Sequence, residues 1–97
     1  MIGGGLADKQ TFNIMGLMPN PTSDLAQLQF EVFETQRVTV RLHAMTGEFL
    51  MELFDGVTSP GNAYQVNVGV SNLASGLYQL RVSGAAQSEV RKLLVAE

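Results

Sequence analysis

From Leu25 onward apolar and polar residues alternate with a period of two, which favours strands and leaves little room for helices. Ala26, Leu28, Phe30 and Val32 fall on one side of the chain, and Gln27, Gln29 and Glu31 on the other. Successive side chains of an extended strand point to opposite faces, so this is the pattern of a strand with one buried face. Val38, Val40, Leu42 and Ala44 repeat it against Thr39, Arg41 and His43. Tyr64, Val66, Val68 and Val70 repeat it again, as do Tyr78, Leu80 and Val82. No stretch of about ten residues or more carries the helical period. Strands are expected over residues 11–14, 25–32, 38–44, 48–54, 64–70, 77–83 and 89–95.

Turn formers separate these runs. Pro19-Asn20-Pro21 must end a strand, because each proline fixes φ and withholds an N–H from the ladder. Thr46-Gly47 leaves just enough chain for a hairpin in which Gly47 takes the positive φ of a tight turn. Asp55-Gly56 and Ser59-Pro60-Gly61 mark the next loop, the latter with proline and glycine where a type II turn wants them. Residues 72–76 and Gly84-Ala85-Ala86 mark two more. One short sheet would leave its apolar face wet, whereas two facing sheets bury both inward sets in a layer ~10 Å thick. The expected architecture is an all-β, immunoglobulin-like antiparallel β-sandwich of about seven strands. It would occupy residues 11–97, with residues 1–10 as a flexible linker.

The 97 residues suffice for one domain, and a fold of this size buries only somewhat over ~60% of the surface its unfolded chain exposes. Nine acidic and six basic residues, a formal net charge of −3, are scattered singly, so no basic face is available for a row of phosphates and nucleic-acid binding is not expected. Cysteine is absent, which excludes disulfides, thiolate zinc sites and thiol nucleophiles. No apolar run approaches the ~20 residues of a membrane-spanning helix. The opening Met1-Ile2-Gly3-Gly4-Gly5 lacks the basic start and apolar core of a secretory signal. If the domain is exported, a signal must lie upstream, and the chain is then expected to be a segment from the C-terminal end of a longer precursor.

Few residues offer chemistry. His43 is the one histidine and alternates outward on a strand, which leaves any general-base or zinc scheme a single candidate. Asn20, Thr22 and Asp24, or Asp55, suggest a calcium loop but supply too few acidic ligands. No cofactor is expected. Of the methionines, Met15, Met18, Met45 and Met51 stand out; two or three are expected to fill core gaps, with Met45 the most exposed. Tyr78 follows the 73–76 loop in the position of sandwich tyrosines whose hydroxyl bonds to upstream backbone and pins a corner. Arg91 and Lys92 give the closing strand a basic, apolar character, and its open edge can offer main-chain donors and acceptors to a partner or to a second copy in a weak homodimer.

Four segments in order, Met18-Pro19-Asn20-Pro21, Met45-Thr46-Gly47-Glu48, Leu73-Ala74-Ser75-Gly76-Leu77-Tyr78 and Arg91-Lys92-Leu93-Leu94-Val95, carry a family resemblance. Together they resemble the C-terminal sorting domain of proteins exported by the type IX secretion system of Bacteroidetes. Pro19, Asn20 and Pro21 match its opening corner, Thr46 and Gly47 its hairpin turn, Leu73, Gly76 and Tyr78 its loop before the penultimate strand, and Lys92, Leu94 and Val95 its last strand. The resemblance implies the sandwich fold and a role as an address with no catalysis. The outer-membrane translocon, with shuttle and sortase components, would read it once an upstream cargo domain has reached the periplasm. A sortase-type peptidase would then cut upstream of it and attach the cargo to lipopolysaccharide at the cell surface. Two departures stand out: Met18 occupies a position that is often aromatic, and Ala96-Glu97 ends on an acid where a basic residue is common. Two other readings follow from the residues alone: an accessory module that binds glycan through Tyr64 or a methionine-lined patch, or packs against a neighbouring domain, and an enzyme built on His43.

Overall fold

Where the sequence alternates, the chain pairs. The computed structural model describes residues 10–96, so the linker expected over 1–10 lies outside the described residues, Gln10 apart. The strands are β1 (Phe12–Met18), β2 (Leu25–Val32), β3 (Gln36–Ala44), β4 (Phe49–Thr58), β5 (Ala63–Gly69), β6 (Gly76–Ser83) and β7 (Ser88–Val95). They form a three-stranded sheet, β1-β2-β5, and a four-stranded sheet, β4-β3-β6-β7, with every ladder antiparallel. The chain crosses between sheets after β2, β4 and β5. This is the expected two-layer β-sandwich, with the fourth strand hairpinned to the third.

The inward sets predicted from alternation make the core. Ala26, Leu28, Phe30, Val66, Val68 and Val70 on one side meet Val38, Val40, Leu42, Leu80 and Val82 on the other, where Leu93 and Val95 of the closing strand join them beyond the predicted sets, and all are buried. Full burial of such a side chain contributes roughly 1.5–3 kcal/mol, so these residues dominate the favourable side of folding. Phe30 anchors the middle, stacked on Tyr64 at 5.3 Å and edge-on to Phe54 at 6.0 Å.

Two strands run further than the sequence suggests. β1 continues from Phe12 to Met18, past the expected end at residue 14, because the ladder slips between Ile14 and Gly16. Met15 is the extra residue; it faces solvent, while Ile14 and Leu17 both pack on the core. A bulge of this kind breaks the period of two and hides the strand from a pattern reading. β4 reaches Thr58, with Asp55 opposite Thr39 and Gly56 opposite Val38, so Asp55-Gly56 is strand and not loop. Two slips, which insert Leu53 and Leu50, account for its lost alternation. The methionine expectation also changes: Met51 packs on the core, but Met15, Met18 and Met45 are exposed.

The end where the chain enters is closed by buried amides. Gln36 donates from Nε2 to Thr11 O at 2.8 Å, while its Oε1 accepts from Thr11 Oγ1 at 3.1 Å and from Ala85 N at 3.0 Å. Gln87, in the β6–β7 hairpin, accepts from the N–H groups of Thr11 and Phe12 at 2.6 and 3.2 Å and donates to Phe12 O at 3.1 Å. Its amide thus pairs with the edge of β1 as a peptide unit would. Among the described residues every buried side-chain polar atom has a partner, which is what burial of polar groups requires.

Candidate functional site

Antiparallel topology sends alternate connections to opposite ends of a sandwich. The β1–β2 loop, the β3–β4 hairpin, the β5–β6 loop and the end of β7 therefore lie together, away from the Thr11 entry. The four sequence segments singled out above occupy these four places. Residues far apart in the chain meet at one end.

Asn20 makes the central link. Its Nδ2 donates to Lys92 O at 2.9 Å and its Oδ1 accepts from Leu94 N at 3.0 Å, so the side-chain amide sits on the outer edge of β7 like one residue of a neighbouring strand. Pro19 and Pro21 flank it, and both prolyl peptide bonds are cis. Thr22 then forms a parallel bridge with Val95: its N–H donates to Leu94 O at 2.9 Å and its C=O accepts from Ala96 N at 2.9 Å. The Thr22 hydroxyl turns back to Leu25 O at 2.9 Å. These groups are committed to holding β7, and among the described residues no cluster of potential metal ligands forms.

This geometry revises the expected open edge. From Lys92 O to Ala96 the outer edge of β7 is occupied by residues 20–22. Because outward-facing groups alternate along an antiparallel strand, Ser88 and the N–H groups of Val90 and Lys92 form the part still open, while Val90 O accepts from Arg91 Nη1 at 3.2 Å.

The remaining segments pack around this link. In the β3–β4 turn, Gly47 has φ +98°, a left-handed conformation that L side chains rarely adopt. Its N–H donates to Ala44 O at 2.9 Å, and Ala44 N donates to Glu48 O at 2.9 Å, while Thr46 at the tip is exposed. His43 Nδ1 lies 3.1 Å from Gly47 O, and its ring meets Phe49 edge-on at 5.6 Å, so the one histidine supports a turn. In the β5–β6 loop, Leu73 packs on the core and its N–H donates to Val70 O. Val70 N in turn donates to Asp24 O at 2.8 Å, tying this loop to residues 19–24. Gly76 takes φ +152° as β6 begins. Tyr78 Oη donates to Ala74 O at 2.6 Å, the upstream backbone bond expected of it.

The motif residues divide by direction. Leu73, Tyr78 and Val95 face the core, whereas Pro19, Asn20, Pro21, Thr46, Gly47, Lys92 and Leu94 are at the surface. Exposed apolar side chains gather at the same end: Met18, Leu25, Met45, Phe49, Leu77 and Leu94. No pocket forms among the described residues, so what this end offers is a surface. Sequence reasoning missed the pairing of Asn20 and Thr22 with β7, and it missed the corner role of Tyr64, whose hydroxyl accepts from Ser59 N at 2.8 Å and pins the β4–β5 corner. With its ring stacked on Phe30, Tyr64 has one face spent, which weighs against it as a sugar platform.

The one resolved electrostatic perturbation lies elsewhere. Arg37 donates to both Asp55 oxygens at 2.7 and 2.6 Å, across β3 and β4. These hydrogen bonds hold the Asp55 carboxyl below the usual carboxylate range and raise the Arg37 guanidinium further.

The family model described as the secretion system C-terminal sorting domain matches residues 16–96. No curated protein matches the chain at a significant level.

Proposed function

The chain belongs to the family of type IX secretion system C-terminal sorting domains, and from that membership we propose that the end of the sandwich carrying the four motifs is the surface by which the domain is read. The domain acts as a sorting signal that sends the polypeptide attached to it across the outer membrane, to the cell surface or beyond. One observation supports this placement of the signal: Asn20, Thr22 and the end of β7 are joined by hydrogen bonds, and the turns bearing Gly47 and Gly76 lie at the same end.

In this reading Pro19, Asn20, Pro21, Thr46, Gly47, Lys92 and Leu94 form the contact surface, with Leu73, Gly76, Tyr78 and Val95 holding it from beneath. The translocon and its shuttle component engage that surface in the periplasm. A sortase-type peptidase then cuts upstream of the domain and joins the cargo to lipopolysaccharide. The domain is a substrate of this machinery and carries no catalytic centre; His43 serves the β3–β4 turn. The open part of the β7 edge is where two copies would pair in weak association.

The test is a reporter carrying an N-terminal export signal and this domain. Surface delivery is expected with the intact domain and lost on removal of residues 91–97. Equal delivery after that removal would reject the reading.

A further inference from the structure

The basic residues are neutralised unevenly. Lys9 lies outside the described residues; of the others, Arg37 meets Asp55 at 2.6 Å, Arg41 meets Glu52 at 3.1 Å and Arg91 meets Glu89 at 2.8 Å. Among the described residues Arg81 and Lys92 have no carboxylate partner. Both project from the outer face of the four-stranded sheet, on neighbouring strands: Lys92 stands opposite Gln79 and Arg81 opposite Val90. They are diagonal neighbours, with backbones ~7–8 Å apart. Arg81 leans along β6 past Gln79, whose Oε1 accepts from its Nε and Nη2 at 3.1 and 2.9 Å, so that Nη2 lies beside the Gly47 turn. Most of its N–H donors remain unspent.

The surroundings sharpen the imbalance. Arg41 lies directly opposite Arg81, and like charges so placed destabilise a sheet; Glu52 bridges Arg41 at 3.1 Å. His43 is one row closer to the motif end, also opposite Gln79. Exposed apolar side chains border the two cations, with the cross-strand pair Leu77 and Leu94 on one side and Val90 on the other. Beside them runs the open stretch of the β7 edge, at Ser88 and the N–H groups of Val90 and Lys92, with Val90 O held by Arg91 Nη1.

We propose that Arg81 and Lys92 seat an acidic, extended polypeptide segment of the export machinery, which lies along the open part of β7 with apolar residues between its acids. Leu77, Val90 and Leu94 are exposed beside the two cations, which favours apolar residues between the acids. The free backbone groups favour an extended chain. An anionic membrane surface fits less well, because the chain is net negative at −3 and its other described cations are already paired. This proposal rests on the sorting reading above and adds the chemistry of the partner.

The probe is a synthetic peptide alternating glutamate and valine, titrated into the isotope-labelled domain, with the glutamine-for-glutamate peptide as control. Shifts are expected at the Val90 and Lys92 amides and the Arg81 side chain, weakened about tenfold in the Arg81→Gln/Lys92→Gln variant and by added salt. Arg81→Lys/Lys92→Arg, which keeps both charges, should retain them; thermal melts verify that both variants fold. No shifts with the wild-type domain, equal shifts in the glutamine variant, or charge-dependent binding to phosphatidylglycerol vesicles in place of the peptide would overturn the proposal. In cells, reduced delivery of the reporter by the folded glutamine variant supports it. Wild-type delivery by that variant, while deletion of 91–97 abolishes delivery, rejects the seat and leaves the sorting reading standing; delivery by the deletion as well rejects both.

Discussion

Replacing Asn20 with alanine tests whether a side-chain amide latches the last strand. The change removes two hydrogen bonds, to Lys92 O at 2.9 Å and from Leu94 N at 3.0 Å. A hydrogen bond contributes roughly 0.5–1.5 kcal/mol net. Both of these are solvent-exposed, so the freed backbone groups hydrate and no desolvation penalty is added. Taking each exposed bond at the lower end, about 0.5–1 kcal/mol, the expected cost is about 1–2 kcal/mol, which for a domain of this length lowers Tm by about 4–16 °C. The backbone bonds from Thr22 to Leu94 O and from Ala96 to Thr22 remain, so the loss is concentrated at the Leu94 amide. Hydrogen exchange there should accelerate by roughly 5–30-fold, the factor that corresponds to this energy. Asn20→Asp refines the test. An ionised carboxylate still accepts from Leu94 N but presents an acceptor to Lys92 O, so Asn20→Asp should be less stable than wild type near neutrality and recover below about pH 4, where protonation restores a donor. If Asn20→Ala melts with the wild type and Leu94 exchange is unchanged, the latch does not exist as described.

Three further outcomes are expected. Tyr78→Phe removes the bond to Ala74 O and should cost near ~1 kcal/mol in urea or thermal unfolding, with little change in the fold by circular dichroism. Phe12→Ala empties a fully buried site and should cost about 3–5 kcal/mol, a large part of a typical ~5–15 kcal/mol; a melt within a degree or two of wild type would refute the placement of β1. Asp55→Asn bears on pH: the folded Asp55 carboxyl titrates below its unfolded value, so its contribution is present above about pH 4 and is lost as pH falls through the folded pKa. The Tm difference between Asp55→Asn and wild type should therefore shrink on acidification, and it stays small throughout because the pair is exposed.

Legibility in the sequence followed the regularity of the backbone. β2, β3, β5 and β6 keep an unbroken period of two, and their buried apolar residues are those the alternation picked out; Gln36, polar and buried at the start of β3, is not among them. β1 and β4 slip register, at Met15 in one and at Leu50 and Leu53 in the other; each slip turns the next side chain to the opposite face, so the same rule misplaced their ends. Asp55-Gly56 read as a turn, yet it lies on an edge strand, where each residue has only one neighbour to pair with. At the motif end the local bonds were legible, since Tyr78 reaches only four residues back to Ala74. The Asn20 contacts span 72 and 74 residues, and no local pattern encodes a partner at that distance. The one hint was chemical: an asparagine between two prolines carries a peptide-like amide where the backbone can no longer donate.

That long span bears on what kind of signal the domain can be. Lys92 and Leu94 belong to a short closing segment, but they stand in register with Gln79 and Leu77 of β6, while their outward backbone groups bond Asn20 and Thr22. The surface they share with Pro19, Pro21 and the Gly47 turn therefore exists only after β7 has docked. The family match begins at residue 16, yet Thr11 and Phe12 fill the entry end and receive Gln36 and Gln87, so the sandwich supporting that surface starts before the matched region does. A receptor that reads the assembled end reads completion of the fold at the same time, whereas one that reads the closing segment as a linear peptide is indifferent to Asn20. Surface delivery of the Asn20→Ala reporter, compared with that of Tyr78→Phe at similar residual stability, separates the two: a selective loss with Asn20→Ala marks the assembled surface as the signal, and equal delivery assigns the signal to the closing segment alone.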